Sequence, residues 1–185
     1  MTEAVTRPRS DPVVGWRYWQ LSQAPPRPGT QGGWRLRSVT QRRFEWPPGG
    51  VMRAGCLGAG HRAPDPRCDC GLYGARDLDS LREHGLCLAP EALVVGRVAL
   101  WGLVLPDVYG SVPENDGWRG EYAEPFSLSV VRELVLDEEL PGVLSALEVY
   151  GVPVGTMALA DAVAGVTAQT LAFQAMAQRA SRTRA

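Results

Sequence analysis

Val94-Val95-Gly96-Arg97-Val98-Ala99-Leu100-Trp101-Gly102-Leu103-Val104-Leu105 is the most apolar segment of the chain, and its reading decides the fold. The run is rich in β-branched residues, carries one charge and stops at Pro106, so it reads as a central strand, bent at Gly96 or Gly102. A central strand needs neighbours. Upstream, Val13 to Leu21 (VVGWRYWQL) is equally β-branched and aromatic, and reads as a first strand ending at the Pro25-Pro26-Arg27-Pro28-Gly29 loop. Trp34, Leu36 and Ser38 alternate with Arg35 and Arg37, the pattern of a strand with one solvated face. Trp46-Pro47-Pro48-Gly49-Gly50 reads as a turn leading to a short strand at Val51 to Ala54. Downstream, a loop through Asn115-Asp116-Gly117 leads to strand material at Trp118 to Tyr122 and again at Phe126 to Leu136.

Helical spacing is confined to three places. Asp77 can cap a short helix bearing Leu78 and Leu81 and stopped by Gly85. Leu140, Val143, Leu144, Leu147 and Tyr150 recur at helical intervals, with Asp137 as the expected cap and Gly151 as the stop. After Pro153, Thr156 is expected to cap a long Ala-rich helix running to about Ala180. Its shallow apolar stripe is Met157, Ala160, Ala164, Leu171 and Met176, and Arg179, Arg182 and Arg184 complement its C-terminal dipole. The sum is an α+β fold: a mainly antiparallel sheet or small open barrel over 13–136, with a Cys/His metal loop, one packed helix and a C-terminal helix. The expected division is a disordered polar arm at 1–12, an α+β domain at 13–154 with the metal loop at 56–76, and a C-terminal helix and tail at 155–185.

The 185 residues suit one domain with appendages, and an apolar fraction of 45% supplies a core without help from a metal. All 19 basic residues are arginine, against 20 acidic ones. A net charge of −1 creates no global field for a polyanion, so nucleic-acid binding is not the expectation from charge. Met1 to Asp11 has no apolar core of a secretory signal, and no stretch is long and apolar enough to span a membrane. A cytoplasmic location is expected, and in a reducing compartment clustered cysteines point to metal rather than disulfides.

The sharpest chemical signal is Cys56-x4-His61-x6-Cys68-x-Cys70, within a Gly- and Pro-rich stretch of low apolar content. Three thiolates and one imidazole satisfy the four tetrahedral positions of zinc. Pro64 and Pro66 stiffen the approach to Cys68, and Gly71 eases the tight turn after the Cys-x-Cys pair. The spacing leaves His84 and Cys87 as competing ligands. An all-cysteine set would admit an iron–sulfur cluster as the secondary alternative to structural zinc.

Other groupings favour ordinary structural roles. Glu114, Asp116, Glu121 and Glu124 cluster in sequence as a solvated loop, with Trp118-Arg119-Gly120-Glu121 offering an Arg–Glu pair at a sheet edge. Six tryptophans, Trp16, Trp19, Trp34, Trp46, Trp101 and Trp118, point to an aromatic core. Arg35, Arg37, Arg42, Arg43 and Arg53, interleaved with Trp34, Phe44 and Trp46, would be the best nucleic-acid surface, although a solvated strand face is the commoner role for such a pattern. No Ser/His/Asp signature, phosphate-binding Gly-Lys loop or dinucleotide fingerprint occurs. No catalytic residue is therefore assigned.

Trp46-Pro47-Pro48-Gly49, Cys56, His61-Arg62-Ala63-Pro64, Cys68-Asp69-Cys70-Gly71-Leu72-Tyr73, Val95 to Gly102, Gly117 to Glu121 and Tyr150-Gly151-Val152-Pro153-Val154 together form a pattern. On these residues the chain resembles a group of small proteins of actinobacteria and their phages to which no activity is assigned. The resemblance spans most of 13–155, implies Cys56, His61, Cys68 and Cys70 rather than Cys87 as the shared ligand set, and marks Asp107 to Asn115 as an insertion. The functional expectation is a zinc-stabilised protein-binding or adaptor module, meeting a partner or a second copy through the C-terminal helix. The alternatives are an Arg/aromatic nucleic-acid binder and a small metalloenzyme, which would need an open coordination position.

Overall fold

Among the described residues, seven strands form one sheet: β1 (Arg9–Ala24), β2 (Gly33–Ser38), β3 (Met52–Arg53), β4 (Leu72–Ala75), β5 (Leu93–Pro106), β6 (Gly117–Val131) and β7 (Val154–Met157). Helices α1 (Leu78–His84), α2 (Leu140–Leu147), α3 (Leu159–Ala162) and α4 (Gly165–Arg182) complete a mixed α+β fold. The computed structural model describes residues 9–24, 33–39, 44–58, 60–84, 93–107 and 117–182. Among them, no helix is long and apolar enough to cross a membrane.

Every strand pairing is antiparallel except β6 with β7. β5 lies between β1 and β6, β6 also pairs β4, and β4 returns to β1 at Trp16 and Ala75, so these four strands close a ring. The bend expected in β5 falls at Gly102, where φ is +74° and the pairing with β6 slips between Trp101 and Val104. A side chain there would meet the Tyr122 ring at 2.7 Å, so backbone and neighbour both require glycine.

Adjacent residues of a strand point to opposite faces, and β5 is buried on both over residues 93–96. Val94, Val98 and Leu100 join one core with Trp19, Leu36, Trp46, Val143 and Leu147. Leu93 and Val95 join another with Tyr18, Leu159, Val163 and Leu171. Two-sided burial explains why this run lacks the polar alternation of a half-solvated strand. Each fully buried Leu or Val stabilises the fold by about 1.5–3 kcal/mol. Trp19 meets Trp46 edge-on at 5.4 Å. The Tyr150 hydroxyl donates to the Trp46 carbonyl and accepts from the Leu36 N–H, both at 2.9 Å, which ties the Trp46 turn to β2.

Several boundaries depart from the sequence expectation. β1 starts at Arg9, inside the stretch expected to be a disordered arm, because residues before Val13 still find a partner: Arg9 pairs with Gly102. Leu72 to Ala75, expected in the irregular loop, form β4, since both β1 and β6 offer it an edge. The two strand segments expected at 118–122 and 126–136 are one strand, β6, ending at Val131. Glu139 rather than Asp137 occupies the N-cap of α2, whose following turn ends at Gly151 with φ +69° as expected. Thr156 caps no helix. It lies in β7, paired with Val130, and the C-terminal helix starts at Gly165. That helix buries Leu171 and Ala175, Leu171 within the second core, while Phe173 and Met176 stand 74% and 70% exposed. Of the expected stripe, Leu171 faces inward and Met176 outward.

Candidate metal centre

The loop from Cys56 to Gly71 leaves β3 and returns into β4, and its two ends are fastened one after the other along the same edge of β6, opposite β5. Met52 and Arg53 pair with Ala123 and Tyr122, and Leu72 and Tyr73 pair with Gly120 and Arg119. The Ala54 N–H donates to the Glu121 carbonyl at 2.7 Å. Anchored this way, the loop folds back so that Cys56, His61, Cys68 and Cys70 converge, all half-buried, with their ligand atoms within 4.8 Å of one another. Cys56 Sγ lies 3.9 Å from Cys68 Sγ, and His61 Nε2 lies 3.3 Å from Cys70 Sγ. A tetrahedron with metal–sulfur bonds of about 2.3 Å and metal–nitrogen bonds of about 2.0 Å has edges of about 3.8 and 3.5 Å. The group is therefore of the right size and composition to hold a metal ion.

Electrostatics favours a cation there. Burial pushes the Cys70 thiol up to about 11, and the neighbouring Cys68 and Cys56 push it the same way, against a hydrogen bond to the Asp65 backbone that lowers it. Three adjoining sulfurs cannot share ionisation without a positive charge among them, whereas a coordinated thiol is deprotonated outright.

Two buried charges of β6 support the loop. The Arg119 side chain, 1% exposed, sends Nη1 to the carbonyls of Cys70 at 2.9 Å, Asp65 at 3.4 Å and, closest of all, Cys68. Its Nε sits 3.7 Å from Asp107 Oδ1. One guanidinium thus gathers three carbonyls of the segment that carries two ligands, a task suited to its fixed fork of donors. Gly71, at φ +138°, is what permits the approach, since a Cβ would come within 2.9 Å of the Arg119 Cβ. Two residues along β6, the Glu121 carboxylate, 1% exposed, accepts from Arg62 Nε at 2.9 Å and Nη2 at 2.6 Å, and from the Leu103 N–H at 3.3 Å. Burial works to raise the Glu121 pKa, but these hydrogen bonds outweigh it and hold the carboxyl below the usual range. Arg62, next to His61, is thereby pinned to the sheet.

Sequence reading found the four converging residues and missed their supports. The Arg–Glu pair expected within 118–121 does not form. Arg119 turns to the loop carbonyls and Asp107, and Glu121 to Arg62, because positions two apart in a strand point the same way and each meets the loop at a different place. That shared direction, with two charges flanking a glycine, was the available signal. Cys87 lies outside the described residues, as do Glu114 and Asp116, and His84 ends α1. Glu121 is buried and bound to Arg62, and Glu124 is exposed. Arg35 donates to the Trp34 carbonyl, Arg37 pairs with Glu45 and Trp46 is 1% exposed, while Arg42 and Arg43 lie outside the described residues.

No family model matches the chain, and no curated protein or solved structure matches it either.

Proposed function

We propose that the chain is a zinc-stabilised binding module in which Cys56, His61, Cys68 and Cys70 hold one structural zinc ion. The convergence of four ligand atoms within 4.8 Å carries this reading. Three sulfurs and one nitrogen within 4.8 Å of one another would fill every position of a structural site and leave none open for substrate or water, which separates it from a catalytic zinc site. The metal would lock a loop whose own apolar contacts are few. An adaptor role is supported by α4, whose outer side offers Phe173 and Met176 one helical turn apart to a protein partner or a second copy.

Metal analysis by mass spectrometry on untagged protein purified without added metal tests the first element. About one zinc per chain, lost in Cys68→Ser and kept in Cys87→Ser, is expected. Metal-free native protein would overturn the reading, and iron with acid-labile sulfide would replace it with the cluster alternative.

A further inference from the structure

One face of the sheet changes character along its length. On β5 the residues Leu93, Val95, Arg97, Ala99 and Trp101 share that face by alternation, and the first two lie in the core built with α3 and α4. Beyond Val95 the apolar residues give way to arginine and aromatic side chains that reach solvent. Arg53, Tyr122 and Trp101 occupy paired positions on β3, β6 and β5. Trp101 and Tyr122 stack with centroids 6.1 Å apart and planes 24° from parallel, and the Arg53 guanidinium lies 5.9 Å from the Tyr122 centroid. Farther along β6, where the pairing with β5 shifts, Phe126 stands 48% exposed with the Arg97 guanidinium 5.1 Å from its centroid. Arg53 and Arg97 are exposed, and among the described residues neither pairs with a carboxylate.

We infer that this open half of the sheet, formed by Trp101, Tyr122 and Phe126 with Arg53 and Arg97, is a binding platform for single-stranded nucleic acid. Tyr122 is covered by Trp101 and Arg53, so bases would stack on the solvent-exposed parts of Trp101 and Phe126, and the two guanidinium groups lying over the rings supply cations for the intervening phosphates. Tyr122 and Phe126 are about 13 Å apart at the usual rise per strand residue, so the platform spans more than one nucleotide. The near-neutral whole-chain charge does not oppose this, because the arrangement of charges rather than their sum sets the local potential. Glu124 lies between the two aromatic groups and is exposed, whereas the Glu121 carboxylate beside Tyr122 is buried and paired with Arg62. Glu124 weakens phosphate binding, and its removal therefore gives the reading a distinctive sign. The platform is separate from α4 and uses no metal ligand.

The test is fluorescence anisotropy of a labelled oligothymidylate of about twenty nucleotides, a length that covers one such surface. Full-length protein should bind it with an affinity that falls linearly with salt on logarithmic axes. Arg53→Ala with Arg97→Ala should weaken binding about tenfold or more and reduce the salt slope by about two. Phe126→Ala, at an exposed position that leaves the fold intact, should weaken it about fivefold with little change in slope. Glu124→Gln should tighten it. A folded native protein that leaves the oligonucleotide free at low salt would overturn the inference, as it would if the face served a protein partner. Binding unmoved by these substitutions, or equally strong to duplex DNA and indifferent to Phe126, would overturn it as well.

Discussion

The metal loop and the sheet core cohere by different physics. Across 56–58 and 60–71 the buried residues are Ala63 and Pro64, and the remainder are half-buried or exposed. The core, by contrast, buries Trp19, Leu36, Leu100, Val130 and Leu147 to 1% exposure or less. Apolar burial holds the core without regard to direction. The loop depends on convergent polar atoms: the Cys/His group, which could hold a metal, the Arg119 guanidinium under three carbonyls, and the Glu121 carboxylate gripping Arg62. Apolar contacts can be lost one at a time, with the rest retained. A polar cluster loses its organisation when one member goes, because the partners left behind stay buried and unsatisfied.

That contrast gives three ways to break it. Leu147→Ala should cost about 2–5 kcal/mol in urea-induced unfolding while the folded variant keeps its full metal content. Metal lost from the folded variant would mean that the two regions are not independent. Arg119→Met should lower stability by about 1–3 kcal/mol, since it strands the loop carbonyls, and should also hasten metal loss to a chelator. Unchanged chelation kinetics would show that the guanidinium props the sheet rather than the loop. Glu121→Gln should have the smallest effect near neutrality and a telling dependence on pH. Its folded pKa lies below the ordinary value of 4.5, so the carboxylate stabilises the fold above that value, and this contribution fades as pH falls through the folded pKa. Acid-unfolding curves of the native and Gln proteins should therefore converge at low pH; parallel curves would remove Glu121 from the account.

The apolar part of this fold was legible in residues. The 94–105 run had to be central because it carries a single charge, Arg97, in an otherwise apolar sequence, and Gly102 proved to be its bend. The convergence of Cys56, His61, Cys68 and Cys70 was legible because a Gly/Pro-rich stretch has no apolar face in which cysteines could simply pack. Pairings between distant segments were not legible. Thr156 reads locally as a helix cap, yet the unfilled edge of β6 draws residues 154–157 into a parallel strand. Arg119 reads as a surface charge, and only the three-dimensional return of the loop shows which carbonyls it serves.

β1 occupies the middle of the sheet, with β5 along one edge and β2 and β4 along the other. During synthesis its partners arrive at very different times. β2 emerges soon after β1, but the flank meant for β5 waits through the whole metal loop and α1, and the ring closes only when β6 has followed. Until then a long aromatic strand presents unpaired backbone and Trp and Tyr side chains to the surrounding medium, the usual setting for mispairing between nascent chains. A loop able to fold around an ion before β5 appears would shorten that wait by drawing β3 and β4 together ahead of the strand that joins them.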